Sequence, residues 1–233
     1  MGHYTDDALG FVLNNRDGGK YLEGKTFRDE NFKEVSIGPS WPPGKIQLVD
    51  VAFENCKIEP GRFNVSAGVR LKNVIFKSIK SRGHLTVSSN AVLDNVVLNG
   101  KYPKKGIWIC PDEVFNETKD VEYKKWVENE YKKIDCALDI QNYEADEILI
   151  YGIPVAKIKF NPDKHIVLKR LKELSLLKKI EIPGDGAYLK IAIQQLDTYG
   201  VDEAVVGLPL GNQERYLNCV EELKILRLNG IID

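Results

Sequence analysis

The chain has 233 residues, with 33 Lys and Arg against 34 Asp and Glu, and 43% of its residues are hydrophobic. That is enough chain and enough apolar content for one large globular unit or two small ones, and it excludes a disordered polymer. A net charge of -1 leaves no overall basic footprint for nucleic acid, and no apolar run approaches the roughly 18 residues of a membrane span.

The start, Met1-Gly2-His3-Tyr4-Thr5-Asp6, has neither a basic opening nor an apolar signal core, so a cytoplasmic location is expected. Cys56, Cys110, Cys136 and Cys219 are too far apart to supply half of a zinc or redox site. They read as buried apolar side chains in a reducing compartment. Neither a metal nor a cofactor is implied.

In the first 110 residues two words recur at one step. Gly61-Arg62-Phe63-Asn64-Val65-Ser66, Gly83-His84-Leu85-Thr86-Val87-Ser88 and Gly106-Ile107-Trp108-Ile109-Cys110 start 22 and 23 residues apart. Leu48-Val49-Asp50-Val51-Ala52-Phe53, Leu71-Lys72-Asn73-Val74-Ile75-Phe76 and Leu93-Asp94-Asn95-Val96-Val97-Leu98 start 23 and 22 apart. Phe32-Lys33-Glu34-Val35-Ser36-Ile37 reads as an earlier copy of the second word. Each period holds two short alternating runs separated by Gly, Asn, Ser and Lys, with no room for a helix. One period is therefore one coil of a solenoid, with parallel strands and an inward ladder of Leu, Val, Ile and Phe. The glycines mark corners with no space for a side chain, and Asn73, Asn90 and Asn95 suit left-handed turn positions. A β-sandwich of look-alike strands is the alternative.

These words resemble right-handed parallel β-helices, and Thr26 to Val35 resembles a fragment of a pentapeptide-repeat protein. The resemblance covers residues 22 to 110 and implies an architecture but no activity.

Pro111-Asp112-Glu113 opens a charged stretch whose Tyr123, Val127, Tyr131 and Ile134 recur at helical spacing. This predicts an amphipathic helix within 111–135 that caps the open end or side of the solenoid. Tyr123 and Trp126 could instead form a stripe for a partner.

From Ile148 to Pro154 a strand ends in a turn, and Val155 to Phe160 reads as another. Then Leu168, Leu171, Leu174, Leu177, Ile180 and Ile182 step by three and then by two, and Leu217, Val220, Leu223, Leu226 and Leu228 repeat the pattern. A looser copy surrounds Asp197 to Asp202. The series resembles leucine-rich repeats, in which an arm and a short strand point into one narrow core. An ordinary α/β layer is the runner-up, with strand 178–182, helix 186–199, strand 203–208 and helix 212–224. In that case Pro183-Gly184-Asp185-Gly186 and Leu208-Pro209-Leu210-Gly211-Asn212 are strand-to-helix loops, without a nucleotide fingerprint. Residues 112–148 carry twelve acids and five lysines, whereas 155–182 carry eight Lys and Arg and three acids. These patches could face each other or receive a partner.

The expected organisation is a mainly β solenoid over 1–110, a capping helix over 111–135 and an α/β leucine-rich-repeat-like part over 136–233. Long rigid repeat surfaces point to a non-enzymatic protein-binding function. Bacterial proteins of similar build include immunity proteins and inhibitors that neutralise a toxin, which makes another protein the expected partner. Lys179, Glu181, Val205, Gly207, Ile225 and Arg227 are the expected binding face, since they alternate away from the leucine core. The alternative is an enzyme acting on a carbohydrate or small molecule between the halves, near His84, Asp185 and His165. A third reading is a subunit that stacks end to end. His3, His84 and His165 lack a neighbouring nucleophile motif, so no catalytic residue is assigned.

Overall fold

The computed structural model describes residues 14–16, 19–111, 117–170, 177, 179–181 and 188–232. Strands β2 (Gly19–Glu23), β6 (Ile46–Val49), β10 (Val69–Lys72) and β14 (Val92–Asp94) pair in parallel, and β1 (Asn14–Arg16) joins them antiparallel. A second face holds β3 (Thr26–Arg28), β7 (Ala52–Glu54) and β11 (Ile75–Lys77), and a third holds β4 (Asn31–Phe32), β8 (Lys57–Ile58) and β12 (Lys80–Ser81). A fourth holds β5 (Val35–Ile37), β9 (Phe63–Val65) and β13 (Leu85–Ser88). Each of the first three coils lays one strand on each face, consistent with a parallel β-helix-like architecture.

The register makes a continuous core. Leu22, Leu48, Leu71 and Leu93 stand in line and are buried. Phe27, Phe53 and Phe76 stack with centroids 5.0 and 5.4 Å apart. At the turn after the first face Gly24, Asp50, Asn73 and Asn95 all adopt left-handed backbone angles. Asn95 Nδ2 donates to Asn73 Oδ1 at 2.9 Å, and Asn73 Nδ2 to Asp50 Oδ1 at 2.8 Å. These amides tolerate the left-handed region and tie one coil to the next. Asn90 departs from the expectation: its φ is not positive, and its amide donates to Asp120 at 3.2 Å.

The first coil is out of step. Val35 stands opposite Phe63 because the loop 38–45 lengthens the chain between β5 and β6, so Phe32 to Ile37 spans β4 and β5 rather than copying the Leu48 word.

The parallel stack also continues past the expected boundaries at 110 and 136. β15 (Val96–Cys110) crosses from the second face to the fourth without a corner, pairing first with β11 and then with β13. β16 (Leu138–Asp139) and β17 (Tyr143–Tyr151) then pair in parallel with β15, and β18 (Ile158–Lys159) with β16. Val155–Lys157, expected as strand, is a single 3-10 turn.

Helix α1 (Glu117–Tyr131) lies against the first face. Tyr123, Val127, Tyr131 and Ile134 are buried, as their spacing predicts. Tyr131 Oη accepts from the backbone N–H of Leu93 on β14, a strand paired on one side only among the described residues. Arg70, outward on β10, bonds both Asp94 and Glu130 and fastens the helix to the sheet.

β19 (His165–Lys169) and β20 (Glu203–Gly207) run antiparallel, and β20 also pairs antiparallel with β17. Helices α2 (Tyr188–Tyr199) and α3 (Gln213–Leu228) cover this sheet, burying Leu189, Ala192, Ile193 and Leu196 with Cys219, Leu223 and Leu226. Glu222 of α3, itself buried, accepts from the N–H groups of Leu189 (3.0 Å) and Lys190 (2.7 Å), satisfying free donors at the start of α2. Burial pushes its carboxyl above the usual range against the pull of these bonds.

The leucine-rich arm and strand expected over 217–228 are instead one helix, and Leu228 is 88% exposed. A step of three suits a helix face equally well, and no Gly or Pro interrupts the chain from Gln213 until Gly230. Lys179, expected in a strand, has helical backbone. Helix 186–199, strand 203–208 and helix 212–224 of the α/β alternative match α2, β20 and α3. Cys56 and Cys219 are buried, while Cys110 and Cys136 are only partly so, and all four thiols are free. No helix among the described residues is long and apolar enough to cross a membrane.

Candidate functional site

The site begins with the register of the fourth face. Phe63 pairs with Leu85 and Leu85 with Ile107, which turns all three inward. Between them Ser36, Asn64, Thr86 and Trp108 form an outward row, continued by Leu149 of β17. The third glycine word is therefore displaced by one residue: Gly106 lies opposite His84, not Gly83. A one-residue slip exchanges the faces of a strand, and the apolar alternation of Ile107 and Ile109 decides which register wins.

Gly106 is the reason His84 reaches Glu147. With no side chain on the intervening coil, His84 Nε2 donates to Glu147 Oε2 at 2.8 Å. A Cβ at Gly106 would strike the Glu147 carbonyl oxygen. An ionised carboxylate only accepts, so Nε2 is the protonated ring nitrogen. The His84 ring lies flat on Trp108, with centroids 4.1 Å apart.

Arg215 comes from the opposite side. Asn212 caps α3 by accepting from the Arg215 N–H at 3.1 Å, which fixes the first turn. From there Arg215 Nη2 donates to Glu147 Oε1 at 2.8 Å, and its guanidinium stands 5.8 Å from the centre of the Tyr188 ring. Tyr188 Oη in turn bonds the Gly207 carbonyl at 3.2 Å. The His84 hydrogen bond, with Arg215, holds the Glu147 carboxyl down at about 2 against the opposing effect of burial.

Between the sheet and the two helices lies a groove of about 330 Å³. Trp108, Glu147 and Leu149 form its strand side, Tyr188, Ile191 and Gln195 its α2 side, and Arg215 and Asn218 its α3 side. It leads towards a smaller hollow of about 30 Å³ that shares Trp108, Leu149 and Gln195 and reaches Cys110, Tyr151 and Tyr199. Trp108 and Ile191 are 37% and 52% exposed, large apolar surfaces kept open on opposite walls.

Neighbouring Asp146 does not line the groove. It is buried, its Oδ1 has no partner among the described residues, and burial pushes its carboxyl up. Among the described residues no group of three His, Cys, Asp or Glu side chains converges to hold a metal.

The expected binding residues scatter. Val205 and Gly207 are buried because β20 is covered on both faces, the stack on one side and the helices on the other, with Val205 in the first core and Val206 in the second. A Cβ at Gly207 would meet Ile148. Ile225 is half-buried, while Lys179, Glu181 and Arg227 are exposed. Tyr123 is buried, its hydroxyl donating to the Ser40 carbonyl, and Trp126 is half-buried against Gly44, so both hold α1 to the loop 38–45.

Of the residues expected near a cleft, His84 lies behind the groove wall, bonded to Glu147 and stacked on Trp108, both of which line it. His165 lies on β19 and is buried, with Nδ1 3.0 Å from the Asn161 carbonyl and Nε2 without a partner among the described residues. Burial lowers its basicity. His3 and Asp185 lie outside the described residues. Trp108, Glu147 and Arg215 were not singled out by spacing or motif. Outward alternation marks Trp108 once the register is right, whereas Glu147 and Arg215 are 68 residues apart with no local signal.

No protein-family model, curated protein or solved structure matches this chain.

Proposed function

We propose that this chain is a non-enzymatic protein-binding module, of the kind that neutralises a partner such as a toxin by covering it, and that the groove beside Trp108 is its contact surface. The observation that supports this reading is the pair of exposed apolar side chains, Trp108 and Ile191, on opposite walls of a preformed groove with Arg215 at its edge. Trp and Arg carry much of the energy in protein interfaces, and an open apolar groove ringed by polar groups suits an anchor side chain. Both oxygens of Glu147 are engaged, by His84 and Arg215, so this carboxylate positions its neighbours and is poorly placed to exchange protons.

The groove volume favours a second reading, an enzyme acting on a carbohydrate or small molecule in the same place. Capture of partners by the full chain from cells that express it separates the two. A stoichiometric protein retained by the native chain and by a Lys179→Glu control, but lost with Trp108→Ala and with Ile191→Asp, is the expected result. A partner held equally by both groove variants, or turnover of a small molecule abolished by them, overturns the proposal.

A further inference from the structure

Among the described residues the hydrogen-bonding capacity left over in the groove is weighted towards donors, with Asn218 adding an amide that can both donate and accept. Glu147 is the sole carboxylate among its described lining residues, and each of its oxygens is occupied. Gln195 Oε1 accepts from Tyr151 Oη at 2.7 Å, which leaves the two N–H groups of Nε2 as its unused capacity. Tyr188 spends its hydroxyl on the Gly207 carbonyl beneath it. Among the described residues, the remaining N–H groups of Arg215 and the indole N–H of Trp108 have no partner. The site therefore offers unused donors, one of them cationic, beside an apolar wall of Trp108, Leu149 and Ile191.

From this imbalance we infer that the groove takes an aromatic side chain of a partner protein together with an adjacent carboxylate: the ring lies against Trp108 and Ile191, and the carboxylate accepts from Arg215 and Gln195. Aromatic pairs gain from offset stacking, and a guanidinium with free N–H groups matches a carboxylate better than any neutral acceptor. Arg215 is presented for this because Glu147 and the Tyr188 ring hold one side of its guanidinium, leaving little freedom to lose on binding. The inference rests on the protein-binding reading and gives its partner a chemistry.

The test uses the full-length protein and three capped dipeptides, acetyl-Phe-Asp-amide, acetyl-Phe-Asn-amide and acetyl-Ala-Asp-amide, followed by nitrogen–proton NMR at the Trp108 indole and Arg215 Nε signals. We expect saturable shifts of both signals with Phe-Asp, and binding at least tenfold weaker with Phe-Asn and with Ala-Asp. In Arg215→Gln the preference for Phe-Asp over Phe-Asn disappears while the ring still shifts Trp108. As the principal comparison is between ligands on the native protein, it stands even if a variant misfolds. Equal binding of Phe-Asp and Phe-Asn, or absence of shifts at either residue, overturns the inference. So does phenylacetate binding as tightly as Phe-Asp, which would make a free aromatic acid the occupant. A partner protein still lost with Trp108→Ala while the dipeptides show no preference would leave the protein-binding reading intact and remove only the acidic chemistry.

Discussion

Phe53 has Phe27 on one side and Phe76 on the other, each a counterpart one coil away. Glu222 in the α/β layer has none: it is a single buried carboxylate on which the start of α2 depends. In the coils each contact is repeated with small variations, so a defect is local and its neighbours share the load. In the layer that closes the stack each contact occurs once, and a defect releases a whole element. The groove lies where these two kinds of structure meet, with Trp108 supplied by the repeating part and Arg215 by the unique part.

Four experiments sharpen this contrast. Phe53→Ala should cost about 4 kcal/mol, the range for deleting a core aromatic, read from the urea midpoint with the slope unchanged. Glu222→Ala should cost about 3 kcal/mol by stranding one buried and one half-buried N–H group. Unlike the first, it should raise hydrogen exchange in α2 while the amides of β6 and β10 stay protected. If both variants lose protection everywhere to the same degree, the two regions are one cooperative unit and the contrast fails.

The third concerns acid. Glu147 is held at about 2, below its unfolded value near 4.5, so below pH 4.5 the unfolded chain binds the proton that the folded chain refuses. Its contribution is complete above that value and is lost as pH falls towards 2, on the order of 2 kcal/mol once partial exposure is allowed for. Glu147→Gln should flatten stability over that window, and an unchanged acid slope would show that the bonds from His84 and Arg215 are not maintained in solution.

The smallest effect belongs to the turn ladder. Asn73→Ala should cost about 1 kcal/mol through its left-handed backbone, and Asn73→Gly less, because glycine keeps the backbone and loses only the ladder bonds. Equal losses would place the cost in the amide bonds instead.

The coils were legible in the sequence because periodicity is a local property repeated often enough to be seen. Leu48, Leu71 and Leu93 are in register where their spacing puts them, and the buried face of α1 follows from Tyr123, Val127 and Tyr131. Trp108 was half legible. Aligning glycines placed Gly106 one position out, since a corner glycine constrains space and not register, and only the inward pair Ile107 and Ile109 corrects it. The α/β layer was misread where spacing is degenerate: leucines three apart fit a leucine-rich arm and a helix alike. Val205 was assigned outward because alternation supposes one wet face, and β20 has none. Glu147 and Arg215 had no signal, because their meeting depends on Asn212 ending a loop at the right place and on Gly106 being empty.

β20 completes the edge of β17, but β17 ends at Tyr151 and β20 begins at Glu203. On a ribosome, roughly fifty residues at 5–20 residues per second separate the two, so the growing chain carries a nearly finished stack with an open, apolar edge for several seconds. Residues Ile148 and Ile150, wholly covered in the finished protein, belong to that strand. Truncation between Tyr151 and Glu203 would make this transient edge permanent, and such fragments should be caught by chaperones or pair with one another through β17.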